Sequence, residues 1–249
     1  MLASRSALAF TSLILTAGAL LLQFLVLLAG VRDANPLNQI YFFRAETSDI
    51  QDAPPSAQWT LWNYCDASVG GRSSDCGGIR PAYPFDPVRN FGDQDAIPDA
   101  FKGTNMYYYL TRFMFAFFLI AIFFAACSLF TGFLALCARI GGAISGLLAS
   151  VALFFQTITA ALMTACYVMA RNVFLREDRA ASLGIKAFGL MWAAVACLFL
   201  TTILFCLVLA TGKKDDTYSS RSTKKSRFGR KQSTRSRGSF IDSEKRTSY

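Results

Sequence analysis

The sequence predicts an all-α membrane protein: a bundle of four transmembrane helices with a small antiparallel β-sheet cap and a disordered tail. Apolar residues make up 53% of its 249 residues and charged residues 16%. The charges avoid four windows, at about 7–31, 110–137, 143–170 and 187–211. Each window is long enough to cross the roughly 30 Å hydrocarbon core of a bilayer. A long polar loop, 32–109, separates the first two windows and carries aromatic segments typical of strands.

The first window is predicted to be a retained span and not a secretory signal. Arg5 precedes the apolar run, as it would in a signal peptide. The run is longer than a signal core, however, and Val31-Arg32-Asp33 is a poor cleavage site for signal peptidase. We therefore expect a tetraspan domain over residues 1–212 and a separate tail over 213–249.

Basic residues predict the orientation in the membrane. The tail holds twelve Lys and Arg against four acidic residues, a net charge of +8, whereas the loop 32–109 has six basic and ten acidic residues, a net charge of −4. Because basic segments stay on the cytoplasmic side, both termini are predicted to be cytoplasmic. The loop 32–109 and the shorter segment 171–186 are then extracellular.

The large loop is predicted to fold into the cap. Residues 39–44 and 58–64 are rich in aromatic and β-favouring residues. The cap motif consists of Trp59, Trp62, Cys65 and Cys76. These two cysteines are the only ones outside the spans, and an even pair in an exported loop is most simply a disulfide. Closing such a loop stabilises the fold by on the order of 3 kcal/mol.

Polar and small residues inside the windows predict helix contacts. Gln23 is expected to hydrogen-bond a neighbouring helix. Arg112 follows the aromatic belt at 107–109 and is expected to extend its guanidinium toward the interface. Gly142 and Gly146 have the spacing of small residues that permits close helix packing. Gln23 and Arg112 are the only polar intramembrane residues that we identify as candidates for a conducting role.

The tail mixes basic residues with serine and threonine, and this composition predicts disorder. Polybasic segments beside a membrane attract anionic lipids of the inner leaflet. The residues expected to make these contacts are Arg221, Lys224, Lys225, Arg227, Arg230, Lys231, Arg235 and Arg237. Ser236 and Ser239 are candidate phosphorylation sites, because added phosphate would cancel the attraction.

The composition argues against catalysis. Histidine is absent, which removes the commonest base and metal ligand. No acidic residue occurs between Asp99 and Glu177, so the carboxylates on which ion and proton pathways depend are missing from the second and third windows. We expect no enzyme, no catalytic or metal-binding residue, no cofactor and no nucleic-acid partner.

Several short sequence motifs, spread over about residues 25 to 200, resemble those of one family. They are Asn35-Pro36-Leu37-Asn38 with Tyr41-Phe42, Trp59-Thr60-Leu61-Trp62 with Cys65, Pro81-Ala82-Tyr83-Pro84, Tyr108-Tyr109-Leu110-Thr111-Arg112-Phe113, Ala170-Arg171-Asn172, Leu183-Gly184 and Trp192-Ala193. The chain resembles the fungal Sur-seven/PalI family, in particular the Sur-seven branch of eisosome-associated, claudin-like tetraspan proteins.

The resemblance implies a structural or organising component of an eisosome or furrow-type domain of the plasma membrane. Such a component supports membrane organisation, cell-wall integrity and endocytic control. The implied partners are eisosome coat proteins, which the tail would contact, membrane lipids including sphingolipid or sterol, and further copies of the chain. Two alternatives stay open: a PalI-type sensor in ambient-pH signalling, and a claudin-like channel or channel subunit.

Overall fold

The computed structural model describes residues 2–32, 34–67, 73–92, 95–137 and 139–226. The chain divides into two compact units, Met1–Val208 and Leu209–Tyr249. The first unit contains the helix bundle and the cap.

Five α-helices are present in the described residues. They are α1 (Leu2–Leu28), α2 (Pro87–Phe91), α3 (Met106–Cys137), α4 (Arg139–Arg176) and α5 (Ile185–Ser226). Four of them contain apolar segments long enough to cross a membrane: Ala7–Leu28, Met106–Leu134, Gly141–Arg176 and Ile185–Val208. The predicted fold class, four membrane-spanning helices with a small antiparallel sheet, is confirmed.

Helix α4 extends beyond the window that the sequence predicted for it. Its apolar segment has 36 residues, or about 54 Å at 1.5 Å per residue, against a hydrocarbon core of about 30 Å. Residues 171–176, predicted to lie outside the span, continue the helix because neither proline nor glycine interrupts them. The helix therefore reaches into the cap, where Phe174 is fully buried.

The cap contains a five-stranded antiparallel sheet. Its strands are β1 (Phe43–Glu46), β2 (Ser56–Trp59), β3 (Tyr64–Asp66), β4 (Ser74–Cys76) and β5 (Ala181–Leu183), in the order β4-β3-β2-β1-β5. The segment 171–186, for which the sequence analysis predicted only an extracellular position, thus supplies the edge strand β5, which pairs with β1.

Gly184 allows this fifth strand to approach β1. A Cβ atom at this position would lie 1.6 Å from the carbonyl oxygen of Tyr41, so no other residue fits without displacing the backbone. The Gly184 N–H donates to the Phe42 carbonyl at 3.0 Å. This contact joins the short segment before α5 to the start of β1.

An aromatic cluster joins the cap to the bundle. Phe43 on β1 is fully buried, and its ring lies 5.5 Å from that of Trp59 and 5.2 Å from that of Phe85. On the helix side it contacts Tyr167 and Phe174 of α4, at 6.1 and 5.7 Å. Because aromatic pairs at these separations attract one another beyond simple area burial, the cap and the helices share one hydrophobic core.

Helical backbone continues into the segment that the sequence predicts to be disordered. Helix α5 ends at Ser226, fourteen residues past Gly212, and residues 213–226 contain no glycine or proline to end it. The rest of the predicted tail, 227–249, lies outside the described residues.

Candidate functional site

The candidate site is the cap, as an interaction surface, together with the contacts that hold the cap on the helix bundle. Within the described ranges, no group of three or more His, Cys, Asp or Glu side chains could hold a metal ion. Trp62 of the cap motif and the neighbouring Asn63 instead contact the end of α1.

Residues 60–63 form a tight turn between β2 and β3. The Thr60 hydroxyl donates to Oδ1 of Asn63 at 2.8 Å, and the Thr60 N–H donates to the Asn63 carbonyl at 2.9 Å. The backbone N–H groups of Trp62 and Asn63 both donate to Thr60 Oγ1 at 3.2 Å. The turn therefore holds the Trp62 and Asn63 side chains in one orientation.

Both side chains bind backbone carbonyls at the end of α1. The Trp62 indole N–H donates to the carbonyl of Leu27, and Asn63 Nδ2 donates to the carbonyl of Gly30 at 3.0 Å. The last carbonyls of a helix have no partner within the helix. Trp62 and Asn63 supply such partners, and Asn63 Nδ2 also donates to the Gly77 carbonyl at 3.2 Å.

Gly30 leaves room for this turn. Its φ is +86°, a conformation that favours glycine, and a Cβ here would lie 2.2 Å from Thr60 Oγ1. The glycine lets the chain leave α1 and lets the turn approach the helix end closely.

The two tryptophans of the motif have different roles. Trp59 is 1% exposed and lies in the aromatic cluster, 5.1 Å from Phe85 and 6.1 Å from Phe91. With the Asn90 amide in the orientation that satisfies both of its polar atoms, the Trp59 indole N–H donates to Asn90 Oδ1 at 3.0 Å. Trp62 instead contacts Phe115 of α3 edge-on at 5.6 Å. Trp59 fills the cap core, whereas Trp62 anchors the cap to two helices.

The predicted disulfide between Cys65 and Cys76 is present. It joins β3 to β4 at directly opposed positions of the sheet, and Cys65 is fully buried. The residues 68–72 within the closed loop lie outside the described part of the chain.

Gln23 contacts a neighbouring helix, as predicted. Its Nε2 donates to Oε1 of Gln156 on α4 at 2.9 Å, and Gln156 Nε2 donates to the Met191 carbonyl of α5 at 3.4 Å. Gln156 is fully buried. Gln156 is therefore a further intramembrane polar residue, and the prediction that Gln23 and Arg112 are the only ones is wrong. The missed signal was a second amide near the middle of an otherwise apolar window.

Hydroxyl groups form further polar contacts between helices. Ser128 of α3 donates to the Ser145 carbonyl of α4 at 3.0 Å. The Thr16 and Thr201 hydroxyls lie 3.5 Å apart between α1 and α5. Together with the glutamine pair, these contacts fix the relative positions of all four long helices.

The two predicted packing glycines differ. A Cβ at Gly146 would lie 3.1 Å from Cβ of Phe205, so α4 and α5 approach closely there, but one at Gly142 would meet nothing within 4 Å. Gly132, which the sequence analysis missed, is tighter: a Cβ there would lie 2.7 Å from Cδ2 of Leu13.

Arg112 is exposed in the second turn of α3, with its guanidinium carbon 4.6 Å from the ring centre of Tyr108. It therefore extends toward the N-terminus of the helix, as expected for a cation near an interface. Of the predicted tail contacts, Arg221, Lys224 and Lys225 lie on the helical backbone of α5. The remaining residues predicted in the tail lie outside the described residues: Arg227, Arg230, Lys231, Arg235, Arg237, Ser236 and Ser239.

Comparisons with known proteins agree with this architecture. The model of the SUR7/PalI family matches residues 8–204. Protein SUR7 of Candida albicans is 39% identical over 197 residues, covering 78% of this chain and 72% of that protein. An uncharacterised plasma membrane protein of Saccharomyces cerevisiae is 36% identical, covering 83% and 70%. Protein SUR7 of Saccharomyces cerevisiae is 33% identical, covering 83% and 69%. The chain therefore belongs to the SUR7/PalI family.

Proposed function

We propose that this protein is a structural, non-enzymatic component of a specialised plasma-membrane domain of the eisosome or furrow type. In this role it supports membrane organisation, cell-wall integrity and endocytic control. The observation that carries the proposal is the shared core of cap and bundle, with Trp62 and Asn63 bound to the end of α1. A cap held this way is a rigid surface suited to lasting contacts. One relative is called a plasma membrane protein.

The cap faces the cell exterior in this proposal, and both termini are cytoplasmic. Disulfides persist in oxidising compartments, and the Cys65–Cys76 bond lies in the cap. The net charge of +8 after Gly212 favours the cytoplasmic side for the tail.

The proposed partners differ between the two sides. The basic tail contacts anionic lipids of the inner leaflet, to which its charge is complementary, and reaches coat proteins beneath the membrane. Within the bilayer, exposed apolar side chains such as Phe123 and Phe130 of α3 meet sphingolipid, sterol or a further copy of the chain.

The polar contacts inside the bundle favour a structural role over a channel. Gln23 and Gln156 bind each other, as do Ser128 and Ser145, so these groups hold helices together instead of lining an aqueous path. Two of the three relatives described above carry the name SUR7, which favours the organising role over that of an ambient-pH sensor.

Fluorescence imaging of a tagged full-length chain, with a marker for the cytoplasmic coat, tests the proposal. We expect immobile cortical patches that overlap the marker and do not recover after photobleaching. Uniform, freely diffusing fluorescence would overturn it. Loss of growth at alkaline pH upon deletion, with patches and wall strength unaffected, would favour the sensor instead.

A matched pair of tail variants separates charge from sequence. Replacing the Lys and Arg residues between 221 and 237 by Gln should increase lateral mobility, because each basic residue near an anionic surface contributes about 1 kcal/mol of attraction. The control replaces the same arginines by lysine, which keeps the charge and should keep the patches. If both variants are retained equally in the cortical patches, the proposed role of the tail is contradicted.

A further inference from the structure

Two arginines lie against one tyrosine at the start of α3. The guanidinium carbon of Arg89 lies 3.8 Å from the ring centre of Tyr108, and that of Arg112 lies 4.6 Å from the same centre. Arg89 comes from α2 in the cap, whereas Arg112 comes from the membrane-spanning helix. The cap and the bundle thus jointly build a cationic cluster on one aromatic ring.

The two cations differ in how their charge is balanced. Arg89 is paired with the buried Asp86, with 3.3 Å between Nε and Oδ2, and its Nη2 donates to Asn105 Oδ1 at 2.8 Å. Among the described residues, Arg112 has no carboxylate partner, only the Tyr108 ring. The cluster therefore has one guanidinium held in place and a second whose donors remain free for an anion.

The depth of Arg112 matches that of lipid phosphate. The span Met106–Leu134 has 29 residues, about 43 Å of helix, so about 6 Å projects beyond each side of a 30 Å hydrocarbon core. The Cα atom of Arg112 lies about 9 Å along the helix from its start. The side chain extends back toward the cap. Its guanidinium therefore lies at the level of the headgroups.

An apolar face lies directly beside this cation. Met106, Tyr109 and Phe113 are 47%, 56% and 57% exposed, and their spacing of three and four residues puts them on one side of α3. Arg112 follows Tyr109 by three residues and borders this face. Of the three, Phe113 lies on the bilayer side of Arg112, and a cation above an exposed apolar ring is complementary to an anionic headgroup above an acyl chain.

We propose that Arg112 and Arg89, flanking Tyr108, form a binding site for the phosphodiester headgroup of a phospholipid in the cap-side leaflet. The forked guanidinium of Arg112 donates to the phosphate oxygens at about 2.8 Å, a geometry that a planar donor satisfies with two bonds. Arg89 adds a second, pre-positioned donor, while the acyl chain packs on Phe113, on the bilayer side of Arg112. The inference rests on the proposed membrane role, but it concerns the leaflet opposite the tail.

Photochemical labelling of the full chain in vesicles tests the site. The probe is phosphatidylglycerol with a diazirine near the top of one acyl chain, and the labelled residues are mapped by peptide mass spectrometry. We expect labelling of the segment 105–117 to fall about threefold or more in Arg112→Gln, because a charge-assisted contact is lost. The matched control is Arg176→Gln, which removes an exposed arginine from the last turn of α4 and should leave this labelling unchanged.

A phosphate-free lipid identifies the group that is recognised. A galactosyl diacylglycerol with the same diazirine should label this segment weakly in the wild-type chain. Equal labelling by both lipids, or unchanged labelling in Arg112→Gln, would overturn the proposal. If Arg112→Gln does not fold, Arg112→Lys replaces it: the ammonium lacks the planar fork, and labelling equal to wild type would then contradict the site.

The result is separable from the proposed function. Loss of cortical patches with labelling intact would reject the membrane-domain role but keep the lipid site. Intact patches with labelling unaffected by Arg112→Gln would reject the lipid site but keep the membrane-domain role.

Discussion

Asn63 binds the carbonyl of Gly30, the residue at which the chain leaves the first membrane helix, with 3.0 Å between Nδ2 and the oxygen. The same amide binds the Gly77 carbonyl next to the disulfide. One buried side chain therefore connects the end of α1 to both arms of the disulfide-closed loop. This contact explains how a cap of short strands is held firmly on a helix bundle.

Asn63→Ala should destabilise the cap by about 1 to 3 kcal/mol, because the buried Gly30 carbonyl loses its donor and remains unpaired. Thermal unfolding of the purified chain in detergent or nanodiscs measures the loss. Asn172→Ala, which truncates an exposed asparagine at the end of α4, serves as the control. Similar stability of the two variants would show that the Asn63 contacts contribute little.

Gly184→Ala should disrupt the pairing of β5 with β1, because the new Cβ would lie 1.6 Å from the Tyr41 carbonyl oxygen. Gly189→Ala is the matched control: a Cβ there meets nothing within 4 Å, and alanine favours the helix by up to about 1 kcal/mol. We expect retention in the secretory pathway and increased protease sensitivity for the first variant only. Normal surface delivery of Gly184→Ala would contradict the close approach.

The Gln23–Gln156 pair should be coupled in a double-mutant cycle. Replacing either residue by leucine leaves the other amide without its partner, so the double variant should be less destabilised than the sum of the single ones. Interhelical hydrogen bonds in membranes contribute about 0.6 kcal/mol on average and up to about 1.7. Additive effects on unfolding in nanodiscs would show that the pair has no net coupling.

Cys65→Ser and Cys76→Ser should each loosen the cap by about 3 kcal/mol by the chain-entropy model and slow delivery to the surface. Migration on non-reducing gels reports the bond, and microscopy reports delivery. The double variant should resemble each single one, since all three lose the same bond. Cys206→Ser, at an exposed cysteine of α5, should leave migration and delivery unchanged.

Tyr83 should make the cap sensitive to strong alkali. Burial raises the pKa of its phenol from 10.0 to about 12, with a smaller contribution from Tyr64. The unfolded chain then loses this proton at lower pH than the folded one, so the stabilisation is complete below pH 10 and declines as the pH rises to about 12. Tyr83→Phe should remove this part of the pH dependence of the free energy of unfolding. Denaturant titrations of both proteins at pH 9 and pH 11.5 would measure the difference.

The span helices and the disulfide could be predicted from the sequence, because each depends on local composition. An apolar run without charge is stable only inside a bilayer or a core, and an even pair of cysteines in a loop predicted to be extracellular is most simply a disulfide. Gln23 could also be recognised as a helix contact, since an amide at that depth needs a partner. What the sequence could not supply was the partner itself, Gln156, from a helix more than a hundred residues away.

The sequence by itself determined that this chain has four apolar spans, an aromatic loop with one cysteine pair and a basic tail. Only the tertiary structure decided that 181–183 completes the sheet, that Trp62 and Asn63 bind the end of α1, and that Arg89 and Arg112 share the Tyr108 ring. The physical reason is that hydropathy and strand propensity are properties of neighbouring residues. Pairing across the cap depends on which distant groups the folded backbone brings within hydrogen-bonding or van der Waals distance.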